Sequence, residues 1–136
     1  MSSATIISDA SFHPPSKTAG WAAWMKADGK SSVTYSGAIK AEVYDSTHAE
    51  LMAIANALAV ATRGGYLEAK AEVLVQSDNV IALALVQIAV PGTPERKHPD
   101  GVSTSLSIPK KPSYLKRFQP QMTVIAKIAK EFELAL

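Results

Sequence analysis

The sequence predicts an α/β fold: a mixed β-sheet, made of an antiparallel three-strand meander plus a parallel strand or strands, flanked by helices. Three observations predict it. Three short segments rich in β-branched, aromatic and small apolar residues precede residue 40, joined by turn-forming residues. From residue 46 the apolar residues recur at helical spacing. A short apolar strand then separates two helical stretches, as in a βαβ alternation.

The elements follow in order. Residues 4–10, Ala-Thr-Ile-Ile-Ser-Asp-Ala, read as a strand that runs into an acid. Pro14-Pro15 and small polar neighbours place a loop at 12–19. Gly20 to Met25 form the second strand, and Asp28-Gly29 signals a hairpin turn into the third, Val33 to Ile39. Ser46 and Thr47 are good N-cap residues, and Thr47 with Glu50 has the spacing of a capping box. Leu51, Ile54, Ala55, Leu58 and Ala61 recur at helical spacing until Gly64-Gly65 ends the helix. Val73-Leu74-Val75 is the fourth strand. Val80 to Val90 is the second helix, stopped by Pro91-Gly92.

Residues 91–119 hold five prolines and no sustained apolar period, with six basic residues against two acidic ones. They read as a long basic loop, a feature that is usually functional or mobile. The last helix begins near Pro120, which a first helical turn tolerates, and carries an apolar face of Met122, Ile125, Ile128, Ala129 and Phe132. Residues 132–136 alternate with period two, as the opening of another strand would.

A chain of 136 residues is expected to form one domain, 1–136. With 47% hydrophobic and 19% charged residues it can bury a core, which excludes global disorder. The net charge of +2 neither demands nor excludes a polyanionic partner. The absence of Cys excludes disulfides, thiolate catalysis and Cys-based zinc sites, so a metal would have to be held by Asp, Glu or His. His13, His48 and His98 lack metal-ligand spacing, and His48 reads as a partly exposed helix-end residue. No apolar run has the ~18 residues of a membrane span and no signal peptide is evident, so a soluble, cytoplasmic protein with no membrane partner is expected.

Three acids occupy special places. Asp9 lies near the end of the first strand, Glu50 in the first turn of the first helix, and Asp78 between the fourth strand and the second helix. If the first and fourth strands are parallel neighbours, Asp9 and Asp78 enter one crevice beyond the strand carboxyl ends, where ligands of open α/β sheets bind. Glu50 would complete a carboxylate cluster. Such a cluster raises its own pKa values, and hard divalent cations such as Mg²⁺ relieve the repulsion. Each acid also has a bland reading: a turn residue for Asp9, a capping box for Glu50, an N-cap for Asp78.

Four segments, three of which carry these acids, resemble ribonuclease H. They are Ile6-Ile7-Ser8-Asp9-Ala10-Ser11, Gly20-Trp21-Ala22-Ala23-Trp24, Thr47-His48-Ala49-Glu50-Leu51-Met52-Ala53-Ile54 and Val75-Gln76-Ser77-Asp78-Asn79, in order over residues 4–90. The resemblance implies a ribonuclease H-like fold in which Asp9, Glu50 and Asp78 are catalytic and bind Mg²⁺, with Mn²⁺ as the alternative ion. It implies hydrolysis of the RNA strand of RNA–DNA hybrids, leaving a 3′-hydroxyl and a 5′-phosphate. Ser11, Ser46, Thr47 and Asn79 flank the acids and are candidates for contact with nucleic acid, as are Lys110 and Lys111 in the basic loop. Trp21 and Trp24 fall on opposite faces of their strand, one in the core and one available for stacking.

The family also has a fourth acid, on or just before a C-terminal helix that follows a fifth strand. Here the element order ends where that strand would start, and Glu131 or Glu133, earlier in that order, would have to be recruited as the fourth acid. That departure keeps two alternatives open: a catalytically impaired module of this fold that binds nucleic acid or protein, and a nuclease of this fold with another nucleic-acid substrate. It also implies an exposed sheet edge through which chains could associate.

Overall fold

Strand β1 (Ser3–His13) lies at the centre of the sheet's wiring. It pairs antiparallel with β2 (Thr18–Ala27) on one side and parallel with β4 (Glu72–Gln76) on the other, and β2 pairs antiparallel with β3 (Val33–Ile39). The strand order is β3-β2-β1-β4, the mixed sheet that the sequence predicts. Among the described residues three helices accompany it: α1 (Ser46–Arg63), α2 (Val80–Ala89) and α3 (Gln119–Glu131). The computed structural model describes residues 3–13, 15–16, 18–39, 43, 45–90, 116 and 118–134. Most of the predicted basic loop, with Lys110 and Lys111, lies outside the described residues, as do residues 135 and 136.

Alternation along the strands sorts the sheet into two faces. Ile6, Ala23, Met25 and Val73 are buried in one cluster with Leu51, Ile54 and Leu58 of α1. Each fully buried large apolar side chain contributes about 1.5–3 kcal/mol. The other face carries Ile7, Trp24 and Leu74, all among the exposed large apolar residues. Trp21 sits half-buried on the covered face, with its ring over Gly37, the β3 residue it pairs with. α1 is buried along most of its length because it packs on β1 and β2 and is itself covered by α2 and α3.

Several boundaries differ from expectation for identifiable reasons. β1 continues through Ser11, Phe12 and His13, which pair with Gly20, Ala19 and Thr18, so the predicted loop shrinks to residues 14–17. Phe12 is the apolar side chain that favours this extension, packing half-buried beside Ile39, Val43 and Met52. The β2–β3 turn is as expected, with Gly29 at φ +74° and the Lys30 amide donating to the Ala27 carbonyl at 3.1 Å. The Ser3 amide and hydroxyl both donate to the Asp28 carboxylate, which lowers its pKa and ties the start of β1 to this turn.

The N-cap of α1 is Asp45 rather than Ser46 or Thr47; its side chain accepts from the His48 amide at 2.8 Å. The capping box therefore does not form, and the Glu50 side chain is released for other use. Gly64-Gly65 ends α1 as expected: Gly65 takes φ +78°, its amide donates to Thr62, and the Tyr66 amide donates to Ala61, the Schellman pattern. α3 has Pro120 in its first turn and buries Met122, Ile125, Ile128 and Ala129. Phe118, assigned by the sequence to the loop, is fully buried and stands at the N-cap of α3. A second Schellman turn follows α3, with Glu133 at φ +54° and the Leu134 amide donating to Ala129. Leu134 turns back into the core, so no strand opens at 132–134.

Candidate metal centre

The parallel β1–β4 ladder stops at Ile7↔Gln76, while β1 runs six residues further beside β2 alone. Past this point the flank of β1 once lined by β4 needs another hydrogen-bond partner. Glu50 supplies it. Its Oε1 accepts from the Ala10 amide at 3.1 Å, an amide that also donates to Asp9 Oδ1 at 2.9 Å. On the other side the Ser77 hydroxyl donates to Glu50 Oε2 at 3.4 Å. One buried carboxylate thus bridges the diverging strands.

Asp9 and Asp78 stand on either side of it. One carboxylate oxygen from each of Asp9, Glu50 and Asp78 lies within 4.8 Å of the other two; Asp9 and Asp78 are exposed and Glu50 is buried. The structure brings together the three acids that the sequence singles out, from three different elements. Burial first, then the charges of Asp78 and Asp9, push the Glu50 carboxyl up to about 7, against the lowering effect of its hydrogen bonds from Ala10 and Ser77.

The donor set suits a hard divalent cation: three oxygen ligands, two of them open to solvent, in a cluster whose repulsion a cation relieves. One oxygen of each carboxylate lies within 4.8 Å of the other two, so all three acids are near enough to hold a single ion.

The neighbours of the acids are placed as follows. Asp78 does not cap α2. Asn79 does, with its Oδ1 accepting from the Ala82 amide at 2.9 Å. Asn79 Nδ2 donates to Thr47 Oγ1 at 3.2 Å, and the Asn79 amide donates to Ser77 Oγ at 3.2 Å. Ser46 is exposed in the first turn of α1, and Ser11 is exposed on β1 opposite Gly20. His48, expected to be partly exposed, is buried: its Nε2 lies 3.1 Å from Gln121 Oε1 and its ring meets Phe118 edge-on. It joins α1 to α3 rather than facing solvent.

Sequence reasoning gave no role to Ser77 or to the Ala10 amide. Ser77 stands beside Asp78 in a recognised segment, and its position there is the only signal of its bond to Glu50. Glu131 and Glu133 lie at the far end of α3, where Glu133 faces Lys70 at 3.8 Å. Lys70 precedes β4 and Asp78 follows it, so this pair is separated from the cluster by the length of the strand, on the order of 17 Å. Neither glutamate belongs to the carboxylate cluster.

No protein-family model and no curated protein matches the chain in sequence. Solved structures match in fold. The N-terminal RNase H domain of rv2228c from Mycobacterium tuberculosis, a fusion with maltose-binding protein, superposes with a TM-score of 0.55 at 20% identity, covering 98% of this chain and 78% of that one. RNase H1 from the halophilic archaeon Halobacterium salinarum NRC-1 gives 0.54 at 14% identity, covering 97% and 80%. LC11-RNase H1 in complex with an RNA/DNA hybrid gives 0.51 at 20% identity, covering 95% and 78%. The chain has a ribonuclease H-like fold. Among the described residues no helix is long and apolar enough to cross a membrane.

Proposed function

We infer that this chain is a divalent-metal-dependent nuclease that hydrolyses the RNA strand of RNA–DNA hybrids. The observation that carries the reading is the convergence of Asp9, Glu50 and Asp78 where the parallel strands part. The fold likeness supports it, including one neighbour held in complex with an RNA/DNA hybrid. Fold alone does not fix chemistry; the three converging carboxylates carry it here.

The three acids divide between two tasks. Glu50 is held at both oxygens, by Ala10 and Ser77, and is the fixed member of the ligand set. Asp9 and Asp78 are exposed and present their carboxylates where a phosphodiester can approach. Bound Mg²⁺ would lower the pKa of an attacking water and stabilise the departing 3′ oxygen. The protein's contribution is to keep three oxygen ligands apart from one another yet within reach of the same ion. Ser11, Ser46 and Thr47 lie on the segments around the acids and are proposed contacts to the substrate strand, with Lys110 and Lys111 as proposed phosphate contacts.

The test is cleavage of a labelled RNA–DNA hybrid with Mg²⁺ or Mn²⁺ by the chain and its Asp9→Asn variant. Metal-dependent cutting of the RNA strand that is lost in the variant is expected. A folded protein that binds the hybrid without cutting it would favour the second reading, a catalytically impaired binding module. That reading is motivated by a cluster of three carboxylates with no fourth acid among the described residues.

A further inference from the structure

We propose that Asn79 and Thr47 form a positioning clamp that sets the separation of Asp78 from Glu50, an inference that rests on the metal-site reading above. The three consecutive residues Ser77, Asp78 and Asn79 make two separate ties to the first turns of α1. Ser77 donates to Glu50 itself, and Asn79 Nδ2 donates to the Thr47 hydroxyl. Thr47 lies three residues before Glu50, on the same side of the helix. Asp78 is therefore held between two tethers that both end on the helix turn carrying its partner acid.

The orientation of the Asn79 amide is fixed by chemistry. The Ala82 amide can only donate, so Oδ1 must face it, which leaves Nδ2 to donate to Thr47. One side chain thus caps α2 with one arm and holds α1 with the other. Ser, Asp or Thr would cap α2 as well. Of these, Ser has one short arm and cannot serve both partners.

The clamp acts against a definite force. Asp9, Glu50 and Asp78 bring carboxylate oxygens within 4.8 Å of one another, and like charges so close act to part the β4–α2 turn from α1. Without the Asn79–Thr47 bond the turn carrying Asp78 keeps only the Ser77–Glu50 tie, and the three carboxylates close on one ion less readily.

Mn²⁺ binding to the metal-free full chain, measured by isothermal titration calorimetry, tests this without reference to turnover. The variants are Asn79→Ser, which keeps a cap on α2, Thr47→Val, which keeps the shape of residue 47, and the double variant. Loss of groups that orient metal ligands typically weakens affinity ~10–100-fold, and a tether acting through the backbone belongs at the lower end. Each single variant is expected to bind Mn²⁺ about 10-fold more weakly, and the double variant no more weakly than either. Thr47→Ser, which restores a hydroxyl, should recover most of the affinity. Equal affinity in all variants overturns the clamp, and so does a double variant whose loss is the product of the single losses. Absence of Mn²⁺ binding by the unaltered chain overturns the metal site itself, a distinguishable result. If Asn79→Ser melts at a markedly lower temperature, Thr47→Val with its Ser rescue decides the matter, since it leaves the α2 cap in place.

Discussion

The two halves of β1 behave as different structures although they are one strand. From Ser3 to Ile7 it is paired on both sides, and its side chains alternate between a helix-covered face and an exposed one. From Ser8 to His13 it keeps only β2, and the partner on the other flank is the carboxylate of Glu50. The first half is held by apolar burial. The second carries Asp9 and opens the crevice. The site forms where sheet pairing ends, because a backbone N–H released there donates to a carboxylate that the core would otherwise exclude.

Substitutions at this site should have the largest effect. Asp9→Asn and Asp78→Asn each remove one charged ligand while keeping shape. Hybrid cleavage is expected to fall by at least ~100-fold in either, the scale seen when one preorganised stabilising group is lost. The melting temperature should stay equal or rise, since Asp9 and Asp78 are exposed and their charges oppose that of Glu50. A variant that keeps its activity would remove that acid from the ligand set.

Ile6→Ala breaks the other half. Ile6 is fully buried beneath α1, so a cavity forms and stability should fall by about 2–5 kcal/mol in urea unfolding. A smaller loss would show that the core closes over the site.

The pH dependence of stability is the next effect in size. The folded Glu50 pKa of about 7 exceeds its ordinary value of 4.5, so the native state retains a proton that the unfolded chain releases. Its contribution to the stability of the metal-free protein is complete below pH 4.5 and is lost as pH rises to about 7. Thermal melts of the chelator-treated protein should show this decline, and Glu50→Gln should remove it. Because metal competes with that proton, Mg²⁺ affinity should increase over the same interval.

The smallest effect is expected one residue from the second largest. Ile7 is 43% exposed on the face opposite α1, so Ile7→Thr should cost about 1 kcal/mol or less, compared with Ile6→Ala in the same unfolding assay. Equal costs at the two positions would mean that this face is covered in solution. β4 is the neighbouring edge, with no outer strand partner among the described residues.

The element order was legible because its signals are local: alternation in the strands, helical spacing in α1 and α3, and the glycine pair after α1. The three acids were legible as a group because each stands at a boundary between elements. Caps were less so. Asp45, Ser46 and Thr47 are all competent N-caps by residue type, so local sequence does not choose among them, and the cap is Asp45. The same holds for Asp78 and Asn79 before α2, where the choice of Asn79 leaves Asp78 to the cluster. The end of α3 misled because Glu133 adopts a left-handed conformation usually given to Gly, so an alternating sequence turns instead of extending. His48 misled because its burial depends on Gln121 and Phe118, more than 65 residues away in sequence.

Whether the three carboxylates share an ion is read from a crystal of the full chain soaked in Mn²⁺. Anomalous scattering should show an ion within bonding distance of Glu50 and at least one of Asp9 and Asp78, with Glu50 still accepting from the Ala10 amide. Anomalous maps without a peak among the three carboxylates at saturating Mn²⁺ would contradict the account.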